Sequence, residues 1–298
     1  MFTFLVGFET PKRELQAELL CRISMKNVIL RLGLAGAFAL VGWDNTLSGQ
    51  LVNVGDHRLF VHCTGQTSDM TVVLENGAGA DLGTWKAVQA KVEGFSRVCS
   101  YDRAGVGHSD KPSEPQTPDT VVADLRRLLE IEAPASPYVL VGASLGGIYV
   151  RRFASRYPEL TAGIILADSS HEEQYSHYFA ISPSIAERFA TQDGRLDRND
   201  NLRAGGQLQP GERLQWHFDV PLIVLEHKRL VGPPHTEADR LAVDWHDLQV
   251  DLAGRSKYGK LIETQSGHVM AVEQPEVVVE SIREVIRQVH TLKKDSGR

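Results

Sequence analysis

The residues of this chain whose types and spacing could do chemistry begin with Gly142-Ala-Ser-Leu-Gly146. The stretch follows the apolar run Val139-Leu140-Val141 and leads into the helical run Ile148 to Ala154. A serine flanked by glycines two residues away, between a strand and a helix, reads as a nucleophile elbow. Gly142 and Gly146 carry no Cβ to obstruct the turn that pushes Ser144 outward. The N–H groups that open the following helix face the place where negative charge would develop. A serine hydroxyl is inert at neutral pH until a base takes its proton. The motif therefore asks for a histidine, and for a carboxylate to hold that histidine, from elsewhere in the chain.

The elements that must position these groups are legible in the pattern. Gln50 to Cys63 alternates apolar and polar residues around Gly55-Asp56, a hairpin pattern. Thr71-Val-Val-Leu-Glu75 is a short buried-strand run that ends in the small-residue loop Asn76-Gly-Ala-Gly-Ala80. A helical stretch to Val92 comes next, with Trp85, Val88 and Val92 on one face. Arg97 to Tyr101 is a strand, and Thr117-Pro118 caps a helix striped by Val121, Leu125 and Leu128. Ala162 to Ala167 is a strand that ends at Asp168, and Val220 to Glu226 another. Glu237 to about Arg255 is helical, and Lys260 to Thr264 is the last strand, running into Gln265-Ser-Gly-His268. Pro275 opens a closing helix with Val278, Ile282, Val285 and Val289 on its apolar face. Strands alternating with helices predict an α/β fold, a mostly parallel central sheet with helices on both faces. The domain organisation expected is a tail over 1–50, a core in two parts over 51–168 and 220–298, and an inserted cap over 169–219, which is polar and carries Tyr175, Tyr178, Phe179 and Trp216.

Composition narrows the function classes. Of 298 residues, 42% are hydrophobic, enough for a sizeable core, and the net charge of −6 gives no reason to expect nucleic acid as a partner. Three cysteines, Cys21, Cys63 and Cys99, lack zinc-site spacing, and Gly105 and Gly107 do not complete a dinucleotide fingerprint. The expectation is an enzyme without cofactor or metal. Leu32 to Trp43 is an apolar run of about a dozen residues behind Lys26 and Arg31, short for a membrane span of roughly 20 and suited to a signal-peptide core. Export, an uncleaved N-terminal membrane anchor and a core-packed helix in a cytoplasmic protein stay open. Met25 is a second candidate start.

From about Leu51 to His290 the chain resembles the α/β-hydrolase superfamily, on the side of the serine esterases and proline-iminopeptidase-like enzymes. The stretches that carry the resemblance are Thr71 to Gly79, Arg97-Val-Cys-Ser-Tyr-Asp-Arg-Ala-Gly-Val-Gly-His-Ser109, Tyr138 to Gly147 and Ser266-Gly-His268. The chain departs from the family in having Ala143 where a histidine often precedes the nucleophile, and Asn76-Gly77 where the oxyanion loop often has His-Gly. The resemblance implies His268 as the base and, through the order serine, acid, histidine, a carboxylate between them. Many members place that acid after the seventh strand, where this chain reads Leu225-Glu-His-Lys-Arg-Leu230; some end the sixth strand with it, where this chain has Asp168. Asp168 is the expected acid and Glu226 the reserve. The resemblance also implies an oxyanion hole from the backbone N–H groups of Ala78 and Leu145. It puts Cys63 and Cys99 on neighbouring strands, where an exported protein could bridge them. Asp102 and Arg103 read as a structural charge pair that holds their loop over the sheet.

The leading expectation is a cofactor-free serine hydrolase acting on a small-molecule carboxylic ester through an acyl-enzyme. Two alternatives stand beside it. An aminopeptidase or amidase would need acidic cap residues such as Glu172 and Glu173 for a free amine. A non-catalytic binding protein would use the same fold without the chemistry.

Overall fold

The computed structural model describes residues 48–113, 116–134, 137–182, 219–228, 236–295 and 297. The expected leader or anchor, and all of the expected cap between 183 and 218, lie outside the described residues. The strands are β1 (Gln50–Asn53), β2 (Arg58–Thr64), β3 (Thr71–Glu75), β4 (Arg97–Tyr101), β5 (Tyr138–Ala143), β6 (Thr161–Ala167), β7 (Leu222–Glu226) and β8 (Gly259–Glu263). They form one sheet in the order β1-β2-β4-β3-β5-β6-β7-β8. The pairs β1·β2 and β2·β4 are antiparallel, and every other pair is parallel.

Burial explains which sequences occupy the middle. Every residue of β3, β6 and β7 is buried, and in β5 only Ala143 is partly exposed. Parallel strands covered on both faces need such unbroken apolar runs. β1 lies at the sheet edge and buries only Val52. The helices are α1 (Lys86–Val92), α2 (Pro118–Glu132), α3 (Gly146–Arg156), α4 (Gln174–Ile181), α5 (Glu237–Gly254), α6 (Met270–Glu273) and α7 (Pro275–Asp295). A short 3₁₀ turn over Leu82–Trp85 precedes α1, capped by the Asp81 side chain on Gly83 N.

Two apolar layers flank the sheet. On one face Leu125 and Leu128 of α2 and Val150 and Phe153 of α3 pack against Val73, Leu140 and Ile164. On the other, Trp85, Val88 and Val92 meet Val278, Ile282 and Val285 of α7 over Val72, Val139 and Ile165. Helix starts follow their capping residues. Thr117 and Thr120 close a reciprocal cap at α2 with Pro118 in the first turn, and Thr236 and Asp239 do the same at α5.

Two consequences position the site. First, β3, β5, β6, β7 and β8 run the same way, so the residues after them collect along one edge of the sheet: Asn76 to Ala80, Ser144, Asp168, His227 and His268. That edge is where open α/β sheets bind ligands. Second, Cys63 stands opposite Cys99 in the β2·β4 ladder, and the two are joined in a disulfide with Cα atoms 4.1 Å apart. Among the described residues no helix is long and apolar enough to cross a membrane.

Candidate active site

Ser144 directly follows β5 in left-handed backbone, with φ of 48°. A non-glycine residue there costs on the order of 1–3 kcal/mol unless its surroundings hold it. Ser144 N–H donates to Ala167 O at 3.1 Å, while Ser144 O accepts from Gly147 N at 3.0 Å and Ser170 N at 2.9 Å. The flanking glycines are required by space. A Cβ on Gly142 would stand 2.7 Å from Gly146 O, and one on Gly146 would stand 2.5 Å from Asn76 O. The start of α3 is thereby pressed onto the loop after β3.

That loop is held from beneath by a charge. Arg103, 4% exposed, donates to Glu75 Oε1, to Asn76 O and to Gly77 O, each at 2.6 Å. Tyr101 Oη donates to the other Glu75 oxygen. Burial drives the Glu75 carboxyl above the usual range even though Arg103 opposes it. The expected pairing of Asp102 with Arg103 is replaced by separate duties. Asp102 accepts from Leu82 N at 2.7 Å and His108 N at 2.8 Å, while Arg103 holds the loop after β3. The glycine after Asn76 brings the loop against the nucleophile: a Cβ on Gly77 would lie 3.2 Å from Ser144 Cβ. The N–H groups of Ala78 and Leu145 follow directly on Gly77 and Ser144, and neither donates to another backbone group among the described residues.

The carboxylate that meets His268 is Asp168. Its Oδ2 lies 2.5 Å from His268 Nδ1. Asp168 is fully buried and, like Ser144, holds left-handed backbone, with φ of 47°. Its N–H donates to Leu225 O at 2.8 Å. Three further groups close around it. His227 Nδ1 lies 2.9 Å from Oδ1 and 3.0 Å from Oδ2, His227 N–H donates to Oδ1 at 3.3 Å, and Trp245 Nε1 donates to Oδ1 at 2.9 Å. Burial alone would raise the Asp168 carboxyl, but the hydrogen bonds from His227 and His268 outweigh it and hold it below the usual value. Glu226, the reserve acid, points elsewhere: its Oε2 lies 2.7 Å from His246 Nδ1. Glu226, His246 and Glu263 present ligand-type atoms within 4.8 Å of one another, the one such group among the described residues.

His268 is held on its backbone as well as its ring. Glu273 of α6 accepts from Gly267 N at 2.8 Å and from Val269 N at 3.3 Å, bracketing the histidine. The ring is about half exposed and makes no hydrogen bond to Ser144 Oγ among the described residues. Catalytic contacts of this kind are often long in a ligand-free protein and tighten on the substrate. The structure thus joins Asp168 to His268 and sets Ser144 on the same sheet edge.

Of the two acidic residues expected for an amine site, Glu172 is already engaged. The Glu172 side chain, 4% exposed, lies between Arg151, at 3.0 Å, and Arg255, at 2.5 Å. Burial would raise its carboxyl, but Arg151, His171 and Arg255 together hold it below the usual range. His171 is equally buried, 3.1 Å from Asp251. These contacts tie the chain after β6 to α3 and α5. Sequence reasoning missed His227, Trp245 and Glu273. His227 falls in the very stretch searched for an acid, whereas Trp245 meets Asp168 across 77 residues with no local signal.

Comparison with known proteins agrees with this architecture. The model of the α/β-hydrolase fold family matches residues 70–202. The chain is 26% identical over 221 residues to the uncharacterized YqjL protein of Bacillus subtilis (strain 168), covering 74% of this chain and 84% of that one. Two other curated relatives are spanned over 40% and 20% of their lengths. Among solved structures, a thermophilic esterase from Thermogutta terrifontis superimposes with a TM-score of 0.56 at 24% identity, covering 78% of this chain and 94% of that one. An enol-lactonase from Burkholderia xenovorans LB400 does so with 0.55 at 17%, covering 80% and 100%. At these identities the structural likeness speaks for the fold.

Proposed function

Because the chain belongs to the α/β-hydrolase superfamily, we propose that it is a serine hydrolase that cleaves a small-molecule carboxylic ester through an acyl-enzyme. The observation that carries this reading is the 2.5 Å contact between buried Asp168 and His268, on the sheet edge that also presents the strained Ser144. In the proposed reaction Ser144 Oγ attacks the ester carbonyl as His268 Nε2 takes its proton. The tetrahedral oxyanion is met by the N–H groups of Ala78 and Leu145. Asp168 fixes the His268 tautomer with Nδ1–H and stabilises the imidazolium. His268 then protonates the departing alcohol, and the same groups activate water to release the acid.

Two further observations support parts of this reading. The esterase and the lactonase among the similar structures bear names that fit ester cleavage. The amidase alternative loses support from Glu172, whose carboxylate is occupied by two arginines. We further propose that the protein works outside the reducing cytoplasm, in line with its Cys63–Cys99 disulfide. Turnover of p-nitrophenyl esters against amino-acid p-nitroanilides tests the substrate class. The expected result is ester hydrolysis that disappears in Ser144→Ala; preferential anilide cleavage would replace the esterase reading with the amidase one.

A further inference from the structure

Asp168 carries two imidazoles. His268 reaches it from the loop after β8, and His227 reaches it from the end of β7, with its Nδ1 within 3.0 Å of both carboxylate oxygens. Trp245 fills the remaining direction at Oδ1. A buried carboxylate has about four acceptor sites to satisfy, and here two of the groups that satisfy them are imidazoles that can change charge. We propose that His227 is a positioning residue for the hydrolytic relay, sharing the Asp168 carboxylate with His268 and setting, through its own protonation, how strongly that carboxylate supports the base. The inference rests on the proposed triad and extends it.

The groups around His227 make the coupling direct. Asp168 faces it from β6, Glu226 from its own strand, and the Trp245 ring from α5 at 6.2 Å between centroids. The His227 side chain is about one-third exposed, so protons reach it from solvent. Its hydrogen bond to Asp168 outweighs partial burial and raises its pKa above the ordinary histidine value. As pH falls, His227 therefore takes up its proton earlier than an ordinary histidine would. The new charge sits against Asp168 and cancels part of the negative field that must stabilise the imidazolium formed on His268 during attack. A charged His227 thus weakens the support that Asp168 gives the base without removing it. Only when the base is protonated does turnover end. Two titrating groups that share one carboxylate behave as a coupled pair.

The test is the pH dependence of kcat/KM for ester hydrolysis in the wild type, His227→Asn and His268→Ala, together with labelling of each by a fluorophosphonate. Asparagine presents an amide N–H near the place of Nδ1 but cannot titrate. The wild type is expected to lose activity on the acid side in a profile that takes two coupled titrations to describe, with about one pKa unit of coupling between them. His227→Asn should show a single step, and His268→Ala no turnover at any pH. Identical single-step profiles in wild type and His227→Asn would overturn the role of His227 and leave the triad standing. A His227→Asn protein as inactive as His268→Ala would also overturn it, by making His227 part of the essential relay. Absence of the label from Ser144 in the wild type would overturn the triad itself. Should His227→Asn fail to fold, nitrogen NMR of the wild-type histidines gives the same answer: His227 and His268 must titrate as a coupled pair, and independent titration contradicts the proposal.

Discussion

Ser144 and Asp168 are the only non-glycine residues with positive φ among the described residues, and they stand side by side at the ends of paired strands. The Ser144 N–H bonds to Ala167 O, directly before Asp168, and Ser144 O accepts from Ser170 N, just after it. The strained serine is therefore held by the backbone on either side of Asp168, whose own N–H is held by Leu225 O. Two rigid strand ends, rather than a flexible loop, set the nucleophile and the acid on adjacent positions of the same edge.

This pairing predicts different consequences for the two carboxylates at strand ends. Asp168→Asn keeps a residue type that tolerates left-handed backbone, so the variant should fold. It loses the charge that holds His268 and should lose on the order of 10⁴ in kcat, as amide replacement does in the serine-protease triad. Glu226→Gln removes a buried carboxylate that faces His246 rather than His268, so turnover should stay within about threefold of wild type and the cost should fall on stability. Steady-state ester kinetics on both variants decide it. The reverse pattern would move the acid to β7.

The Asp168 carboxyl also links stability to pH. Its folded-state pKa lies below the unfolded value, so the unfolded chain binds the proton more readily. The contribution is complete above the unfolded carboxylate value and is lost as pH falls through the folded one. Asp168→Asn has no such proton to take up. Urea midpoints between pH 7 and pH 3 should therefore fall less in Asp168→Asn than in the wild type. An equal fall in both would contradict the linkage.

The disulfide gives a third outcome. Cys63 and Cys99 are 36 residues apart in sequence, and closing a loop of that size stabilises a fold by ~4 kcal/mol in the chain-entropy account. Thiol titration of denatured, unreduced full-length protein should find one free thiol, Cys21. Reduction should lower the melting temperature by several degrees. Three free thiols in protein prepared under oxidising conditions would contradict the bridge.

Legibility in the sequence followed the range of the interactions. The elbow was readable because its constraint is local: Gly142 and Gly146 must be small within one turn, and a Cβ on either would strike backbone at 2.5 to 2.7 Å. The central strands were readable because burial on both faces forces continuous apolar runs. Asp168 was readable as a strand-end acid, and the structure prefers it to Glu226 as the partner of His268. The rest of the Asp168 shell was not readable. His227 and Trp245 converge on it from 59 and 77 residues away, and neither spacing nor periodicity marks such a convergence. Arg103 was visible as a charge near the site, but its partners Glu75, Asn76 and Gly77 come from a strand that is neighbouring only in the folded sheet. Glu172 looked available for a substrate amine because sequence does not show the two arginines, on α3 and after α5, that enclose it.

The central claim is that Ser144 is a nucleophile activated through His268. Mass spectrometry of the protein after exposure to a fluorophosphonate tests it most directly. The account predicts one adduct, on the peptide that contains Ser144, absent from Ser144→Ala and strongly slowed in His268→Ala. An adduct that persists in Ser144→Ala, or an intact wild-type protein that takes up none, would contradict it.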